Sequence, residues 1–456
     1  MLMSSLDTSI ANAGLPALAR AFGASFQAVQ WIVLAYLLAI TTLIVSVGRL
    51  ADRLGRKRLL LGGVGLFTVA SLACGLAPSL PILIVARAAQ GLGAAFMMAL
   101  TVAFVGETVP KDRTGSAMGL LGTMSAVGTT LGPSLGGLLT TAFGWRSMFL
   151  VNVPLGLLIL TLSVRFLPAV PVASDARHPG FPGTSTAFLA WTLGAYALAM
   201  TLGHGQVGAV NALLLAAAGA GLAGFLAVER QARTPLVPQA MFREPGLGAG
   251  LAMSVLVSAV MMSTLVVGPF YLARAFGLDS ARVGLALSVG PLVAALSGVP
   301  AGRLVDRFGG PRMTAAGLGG MLLGVTLVTL SPTRFGLSGY LLPIMVTTSN
   351  YALFQAANNT VVMTGIQPEQ RGVTSGLLSL SRNLGLITGA SLMGAIFALA
   401  SGATNVATAS ASAVSVGMRS TFAAATLLLA AALVVSTRAR SRANRLASLL
   451  NSQVRP

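Results

Sequence analysis

The sequence is poor in charge, above all in acidic charge. Of its 456 residues 9% are charged, with 10 Asp and Glu against 29 Lys and Arg, whereas a soluble domain carries about 25%. So few charged side chains cannot cover the surface that a soluble chain of this length exposes to water. The composition therefore excludes a soluble enzyme and a soluble nucleic-acid-binding protein.

Cysteine and histidine are also scarce. The single cysteine, Cys74, lies in an apolar stretch and cannot form an internal disulfide. The two histidines, His178 and His204, offer no cluster of metal ligands. We therefore expect neither a metal site nor a cofactor.

The uncharged parts of the sequence contain long runs of apolar residues. Apolar residues make up 55% of the chain, and its mean hydropathy is +0.84. A helix needs about 20 apolar residues to cross a bilayer, and helices satisfy their own backbone polar groups in lipid. The sequence thus predicts an all-α integral membrane protein with fourteen spans. They are residues 1–19, 29–48, 59–77, 80–104, 115–142, 147–167, 184–203, 208–228, 247–273, 282–301, 313–331, 337–362, 372–400 and 416–436.

The basic residues are distributed unevenly over the predicted loops. If both termini lie inside, 21 of the 29 Lys and Arg fall in inner loops and the tail, and 6 fall in outer loops. Cytoplasmic loops of membrane proteins carry this excess, so the net charge of +19 needs no nucleic-acid partner. We predict a multi-pass protein of the cytoplasmic membrane with both termini in the cytoplasm.

Two parts of the sequence recur at nearly constant distance. The eleven-residue segment Gly48–Arg58 matches Gly302–Arg312 at seven positions, 254 residues later, and glycines 119, 128, 132 and 137 recur 257 residues later. Such duplication is typical of transporters with the substrate site between two halves. We predict a six-helix bundle over 1–168, two inserted helices over 169–246, a second bundle over 247–436 and a basic cytoplasmic tail over 437–456.

The segment from Gly48 to Arg58, GRLADRLGRKR, is similar to a loop signature of the major facilitator superfamily. The resemblance is to the fourteen-span drug:proton antiporters of that superfamily. In the family this loop is held to latch the conformation of the transporter. The alternative is a plain cluster of inner-loop charge. The latch residues implied are Gly48, Asp52, Arg53, Gly55 and Arg56.

A second segment, RAAQGLGAA from Arg87, resembles the pattern of the family's fourth span. An arginine within a span is costly and normally faces a cavity or a partner. The family associates it with proton coupling, and the alternative is an arginine that extends to the membrane interface. Gln90 is a candidate for the substrate cavity. So is Arg382 in predicted span 13, which alternatively satisfies backbone carbonyls.

The third segment resembles the antiporter signature of the fifth span, which the family associates with export in exchange for protons. Three of its glycines are spaced by four residues and share one helix face, which permits close helix packing. Its proline can kink the helix. Small-residue packing alone explains the glycine spacing but not the proline. In the second half of the chain Ala390 stands at the position that corresponds to Pro133. The signature residues are Gly119, Gly128, Gly132, Pro133, Gly136 and Gly137.

The first span contains LDTSIANAGLP, which is similar to a fourth family signature. Its carboxylate, Asp7, is a functional candidate because it lies within a span, and by resemblance it carries the proton. Only six residues precede it, so Asp7 is expected roughly 9 Å from the inner end of the span, within reach of water. We expect about ten further apolar residues upstream in the native protein. Glu107 is the alternative carrier. The segment WRSMFLVNVPLG, from Trp145, also resembles the family.

The resemblance implies a proton-coupled exporter of drugs or other toxic amphipathic or cationic compounds. It would work as a monomer by alternating access, with a small molecule, protons and the lipid bilayer as partners. An uptake symporter for a nutrient is the first alternative, against which the antiporter signature speaks. An intramembrane enzyme or receptor is the second. The sequence has no HExxH zinc pair, no G-x-S-x-G nucleophile motif and no phosphate-binding loop, so we do not expect an enzyme.

Overall fold

A computed structural model of the protein describes residues 1–108, 114–167, 183–202, 208–232, 245–330, 332–364, 371–402 and 409–453. These residues form helices joined by short turns. A π-helical turn, Gly389–Met393, lies between α14 and α15. The helices are α1 (Leu2–Phe22), α2 (Phe26–Leu54), α3 (Arg56–Leu76), α4 (Leu80–Thr108), α5 (Thr114–Phe143), α6 (Ser147–Leu150), α7 (Asn152–Phe166), α8 (Gly183–Thr201), α9 (Ala209–Gln231), α10 (Pro245–Ala275), α11 (Ser280–Phe308), α12 (Gly310–Leu330), α13 (Pro332–Met363), α14 (Arg371–Thr388), α15 (Gly394–Ser401) and α16 (Ala411–Gln453).

Helices lie at every predicted span. Within the described residues, ten helical stretches are long and apolar enough to cross a membrane, and α1, α5, α8 and α13 are not among them. Helix α1 has a low hydropathy because it contains polar residues such as Ser4, Asp7 and Asn12. These residues are buried in the structure. The helical membrane fold is confirmed, and the number of fourteen spans stays a prediction. Predicted spans 6 and 13 are not single α-helices, because Val151 separates α6 from α7 and the π-turn separates α14 from α15.

The internal duplication is visible in the helix bounds. Helices α11 and α12 begin and end 254 residues after α2 and α3, the offset found in the sequence. The turns that separate these pairs are Gly55, with φ 85°, and Gly309, with φ 84°. Only glycine adopts positive φ at little cost, so both copies need glycine at this position. The sequence repeat is confirmed as a structural repeat.

The loop predicted to follow span 2 is largely helical. Span 2 was predicted to end at residue 48, but helix α2 continues to Leu54. Most of the presumed loop signature is therefore the last part of a helix. The turn itself consists of Gly55, whose positive φ stops the helical hydrogen-bond pattern.

Contacts group the chain into two units that are not continuous in sequence. The first unit is Met1–Leu236, Leu265–Pro291 and Ala390–Met418, and the second is Val237–Thr264, Leu292–Gly389 and Arg419–Pro456. In the first unit α1 packs along α5 and both α2 and α3 pack on α4, and in the second α12 packs on α13. This grouping leaves the predicted domain boundaries as predictions.

Candidate functional site

Asp7 lies inside the first unit with both carboxylate oxygens bonded. Its side chain is 1% exposed. Oδ2 accepts a hydrogen bond from Arg87 Nη1 at 2.6 Å. Oδ1 accepts bonds from Gln90 Nε2 at 2.9 Å and from Asn152 Nδ2 at 2.7 Å. The carboxylate on α1 is thus held by side chains from α4 and from the first residue of α7.

Arg87 is fully buried, with 0% of its side chain exposed. Its Nε donates to the Ile32 carbonyl at 3.0 Å, and Nη1 also donates to Gln90 Oε1 at 2.6 Å. The guanidinium carbon lies 4.3 Å from the centroid of the Tyr36 ring, a favourable position for a cation. Nη2 has no hydrogen-bond partner among the described residues. Helix α2 therefore supplies a carbonyl and an aromatic face to the same charge.

The structure corrects the expected water access of Asp7. Although few residues precede it, its carboxylate is enclosed by Arg87, Gln90 and Asn152 rather than by solvent. The alternative in which Arg87 extends to the interface is excluded, because its charged group points to Asp7 in the interior. Gln90 is equally buried and bridges Asp7 to Ser71 Oγ, 2.7 Å from its Nε2. A role for Gln90 in the substrate cavity stays a prediction.

Sequence reasoning missed three members of this cluster. Asn152 comes from α7, Tyr36 from α2 and Ser71 from α3, and the sequence around Tyr36 and Ser71 gives no sign that they belong to this cluster. For Asn152 a signal existed, since it lies in the segment WRSMFLVNVPLG that resembles the family. A buried ion pair of this kind is strongly destabilised when one charge is removed. The cluster can therefore turn the gain or loss of one proton on Asp7 into a change of packing.

One face of the antiporter signature on α5 contacts α1. Pro133 has no N–H, so the carbonyl of Thr129, four residues earlier, lacks its helical partner. Ser9 Oγ on α1 donates to that carbonyl at 2.9 Å. A Cβ on Gly132 would overlap the side chain of Ser9. The glycine thus admits the serine that satisfies the carbonyl left free by the proline.

The other face of the signature contacts α11. The Pro133 carbonyl lies so close to Gly284 that a Cβ there would overlap it, and a Cβ on Gly137 would overlap the Ser280 carbonyl. Nearby, Ser134 N donates to Ser288 Oγ at 3.1 Å. All these residues belong to the first unit. The signature therefore joins α5 to α1 on one side and to α11 on the other.

The second half repeats part of this arrangement without proline. Gly385 approaches the backbone of Val255 on α10 as Gly128 approaches that of Leu2 on α1. Where the first half has its proline, the second has the π-turn, whose Ala390 carbonyl accepts a bond from Gln30 Nε2 at 2.8 Å. A side chain from another helix therefore bonds a backbone carbonyl near this point in each half, that of Thr129 in the first and that of Ala390, four positions later in the repeat, in the second.

The remaining candidates lie elsewhere. In the latch segment Gly55 is the turn, and Arg56 begins α3. The surroundings of Gly48 and the side chains of Asp52, Arg53 and Glu107 lie outside what the structure describes. Gly119 is a residue of α5, and its surroundings also lie outside them. The adjacent Lys57, which prediction overlooked, donates from Nζ to the carbonyls of Val164 and Leu167 at the end of α7. Arg382 belongs to the second unit, and the Asp7 cluster belongs to the first.

Comparison with known proteins finds similarity to a family model and to relatives of the same superfamily. The family model for the Major Facilitator Superfamily matches residues 1–390. The multidrug resistance protein Stp of Mycobacterium tuberculosis is 32% identical over 401 residues, 87% of this chain and 74% of Stp. The drug efflux pump JefA of the same organism is 32% identical over 422 residues, 87% of this chain and 78% of JefA. A bacterial homologue of the human lysosomal transporter Spinster, solved inward-facing and unoccupied, superposes with a TM-score of 0.71 at 16% identity, covering 96% of this chain and 94% of that one.

Proposed function

The chain belongs to the major facilitator superfamily of transporters, and we propose that it is a proton-coupled exporter of drugs or other toxic amphipathic compounds. The observation that carries the proposal is the buried pair of Asp7 and Arg87. A transporter that uses protons needs a group within the membrane that takes up a proton from one side and releases it to the other, and a carboxylate beside a fixed counter-ion suits that role. The similarity to Stp and JefA supports export as the direction.

Asp7 is the proposed proton carrier, and Arg87 is its electrostatic partner. With Asp7 ionised, the charges hold α1 against α4 through the 2.6 Å contact. A proton on Asp7 cancels the attraction and leaves Arg87 as a buried cation without a counter-charge. Asp7 on α1 is bonded to side chains of α4 and α7. Its protonation therefore favours a different packing of these three helices. The proton thereby shifts the balance between inward- and outward-open states.

Helix α1 also connects this cluster to α5. Asp7 and Ser9 are two residues apart, and Ser9 bonds the Thr129 carbonyl beside Pro133. Pro133 and its neighbours then contact α11. We propose that protonation of Asp7 is transmitted to the α5–α11 contact along this continuous set of packed groups. The loop around Asp52 is proposed as a latch on the inner side.

The proposed topology has fourteen spans in the cytoplasmic membrane with both termini cytoplasmic. It is supported by the distribution of 21 basic residues on the inner side against 6 on the outer. The transporter is proposed to work as a monomer, with small molecules and protons as its ligands. Uptake by symport is the rival function, and it predicts the opposite relation between proton and cargo movement.

Everted membrane vesicles containing the full chain test the function. With an acidic lumen, an antiporter accumulates cargo in the lumen while protons leave. We expect accumulation of at least one of three probes, namely eosin Y (anionic), rhodamine 6G (cationic) and chloramphenicol (uncharged), and its loss when a protonophore removes the gradient. Accumulation that ignores the protonophore contradicts proton coupling. Cargo that leaves an acidic lumen together with protons identifies a symporter.

A further inference from the structure

The second unit contains a polar cavity of about 150 Å³ between α10, α13 and α14. Its walls include Arg382, Tyr351 and Gln355, with Ser254 and Ser258 opposite. Cavities that hold a whole drug-sized molecule have volumes of about 300–1,000 Å³. This one is large enough for one functional group of a ligand rather than for an entire drug.

Arg382 brings a positive charge to the cavity that no carboxylate in the described part of its unit balances. In the described part of the second unit the sequence contains one carboxylate, Asp306, and that residue is exposed at the end of α11. No described carboxylate pairs with Arg382. By contrast, the buried Arg87 of the first unit is paired with Asp7. An unbalanced arginine within a membrane protein is costly and is kept where it binds something.

Asn358 supplies a second and independent indication of a ligand. It lines the same cavity and is 1% exposed. Its Nδ2 donates to the Gly250 carbonyl at 3.2 Å and to Ser254 Oγ at 3.0 Å, so the amide orientation is fixed. Its Oδ1 is buried and has no partner among the described residues. Buried acceptors are rarely left unbonded, and this oxygen lies against Gly250 of α10, so a ligand donor that enters between α10 and α13 would supply the partner that the described residues do not.

We propose that this cavity binds an acidic group of the cargo, a carboxylate or a similar oxyanion. Arg382 pairs with the anion, as guanidinium groups do. Asn358 Oδ1 accepts a hydrogen bond from a hydroxyl or N–H group of the same molecule. The apolar side chains of Phe354 and Leu378, also in the wall, contact its hydrophobic part. The inference rests on the proposed transport function and departs from the cationic cargo that the family resemblance implies.

Two dyes with the same xanthene ring system separate the charge of the cargo from its shape. Eosin Y carries a free carboxylate where rhodamine 6G carries an ethyl ester, and the net charges are opposite. We expect the purified full-length protein, titrated by fluorescence anisotropy, to bind eosin Y at least about tenfold more tightly than rhodamine 6G, since charge-assisted hydrogen bonds have this magnitude. Raised salt concentration weakens the binding of eosin Y.

Substitutions assign the effect to Arg382. Arg382→Gln is expected to weaken eosin Y binding at least about tenfold and to leave rhodamine 6G binding unchanged. Arg382→Lys keeps the charge and retains most of the affinity. The matched control is Arg282→Gln, which removes an exposed arginine paired with Asp279 and leaves both dyes unaffected. If Arg382→Gln fails to fold, the proposal is still tested by two measurements. These are the preference of the wild type for eosin Y over rhodamine 6G and the affinity that Arg382→Lys retains for eosin Y.

Several results would overturn the proposal. Tighter binding of rhodamine 6G than of eosin Y by the wild type is one, and no binding of eosin Y is another. Equal weakening of both dyes by Arg382→Gln would show that the arginine is structural. These titrations need no proton gradient, so they stand apart from the vesicle experiment. Anion binding without proton-driven transport would refute the exporter function alone, and transport of rhodamine 6G alone would refute only the acidic cargo.

Discussion

Replacing Asp7 with asparagine is expected to stop proton-driven export while the protein remains in the membrane. Asparagine has the size of a protonated aspartate and keeps one acceptor oxygen for the amides of Gln90 and Asn152. It has no charge to exchange with a proton. Accumulation in acidic vesicles of each probe that the wild type transports should therefore fall to the level of vesicles without the transporter.

The same substitution should lower stability, and a second one should restore it. Arg87 is 0% exposed, and a buried charge that loses its partner costs about 3–5 kcal/mol. Thermal unfolding in detergent is thus expected at a clearly lower temperature for Asp7→Asn. The double variant Asp7→Asn with Arg87→Gln removes both charges and should recover most of the loss. It should remain inactive in transport, because the proton carrier is still absent.

Asp279→Asn is the control for these two measurements. Asp279 is also paired with an arginine, Arg282, but the two side chains are 55% and 73% exposed. Exposed pairs contribute about 0–1 kcal/mol, so stability and export should both be close to wild type. If Asp7→Asn unfolds at the wild-type temperature, the interior pair is not charged in the resting protein. Undiminished proton-driven export by Asp7→Asn would move the carrier role to Glu107.

Gly284→Ala is expected to separate α5 from α11 and to reduce export strongly. A Cβ at this position would overlap the Pro133 carbonyl and lie 3.2 Å from the Gly137 Cα. Both are backbone atoms, so a side-chain rotation cannot relieve the contact. Close approach of membrane helices depends on small residues of this kind. The helices must move apart, and the state in which they touch becomes less populated.

Cross-linking measures that separation directly. Cysteines introduced by Ser134→Cys and Ser288→Cys replace a pair whose backbone nitrogen and hydroxyl lie 3.1 Å apart, and the native Cys74 is buried and does not compete. Their cross-linking yield should fall in the Gly284→Ala background. Gly298→Ala is the matched control on the same helix, since nothing lies within 4 Å of its added Cβ. Equal yields in the two backgrounds would contradict a role for the α5–α11 contact.

Sequence was a good guide to the helices and to their repetition. Hydropathy located helical segments at every predicted span, and the 254-residue offset reappeared in the bounds of α2, α3, α11 and α12. Spacing also predicted that Gly128, Gly132 and Gly136 share a packing face, and all three lie against α1. These features depend on residues near one another in the chain, where helix geometry alone decides.

Contacts between distant helices could not be obtained in this way. Asp7 and Arg87 were each selected as coupling residues, but their 2.6 Å contact joins positions 80 residues apart. Nothing in the spacing placed Asn152 beside them. Nor did it show that Ser9 bonds the carbonyl freed by Pro133, because a helix face does not identify the helix opposite. Asp7 was expected within reach of water because only six residues precede it, and the sequence did not show which helices cover it.

Proton release from the purified protein on binding cargo tests the central claim most directly. Chloramphenicol carries no net charge and brings no proton of its own, so a pH indicator in lightly buffered solution reports only protons from the protein. The account predicts release from the wild type in a solution acidic enough to protonate Asp7, and none from Asp7→Asn. Equal release from both would place the proton carrier elsewhere. Binding of chloramphenicol with no release from either would contradict proton-coupled export through Asp7.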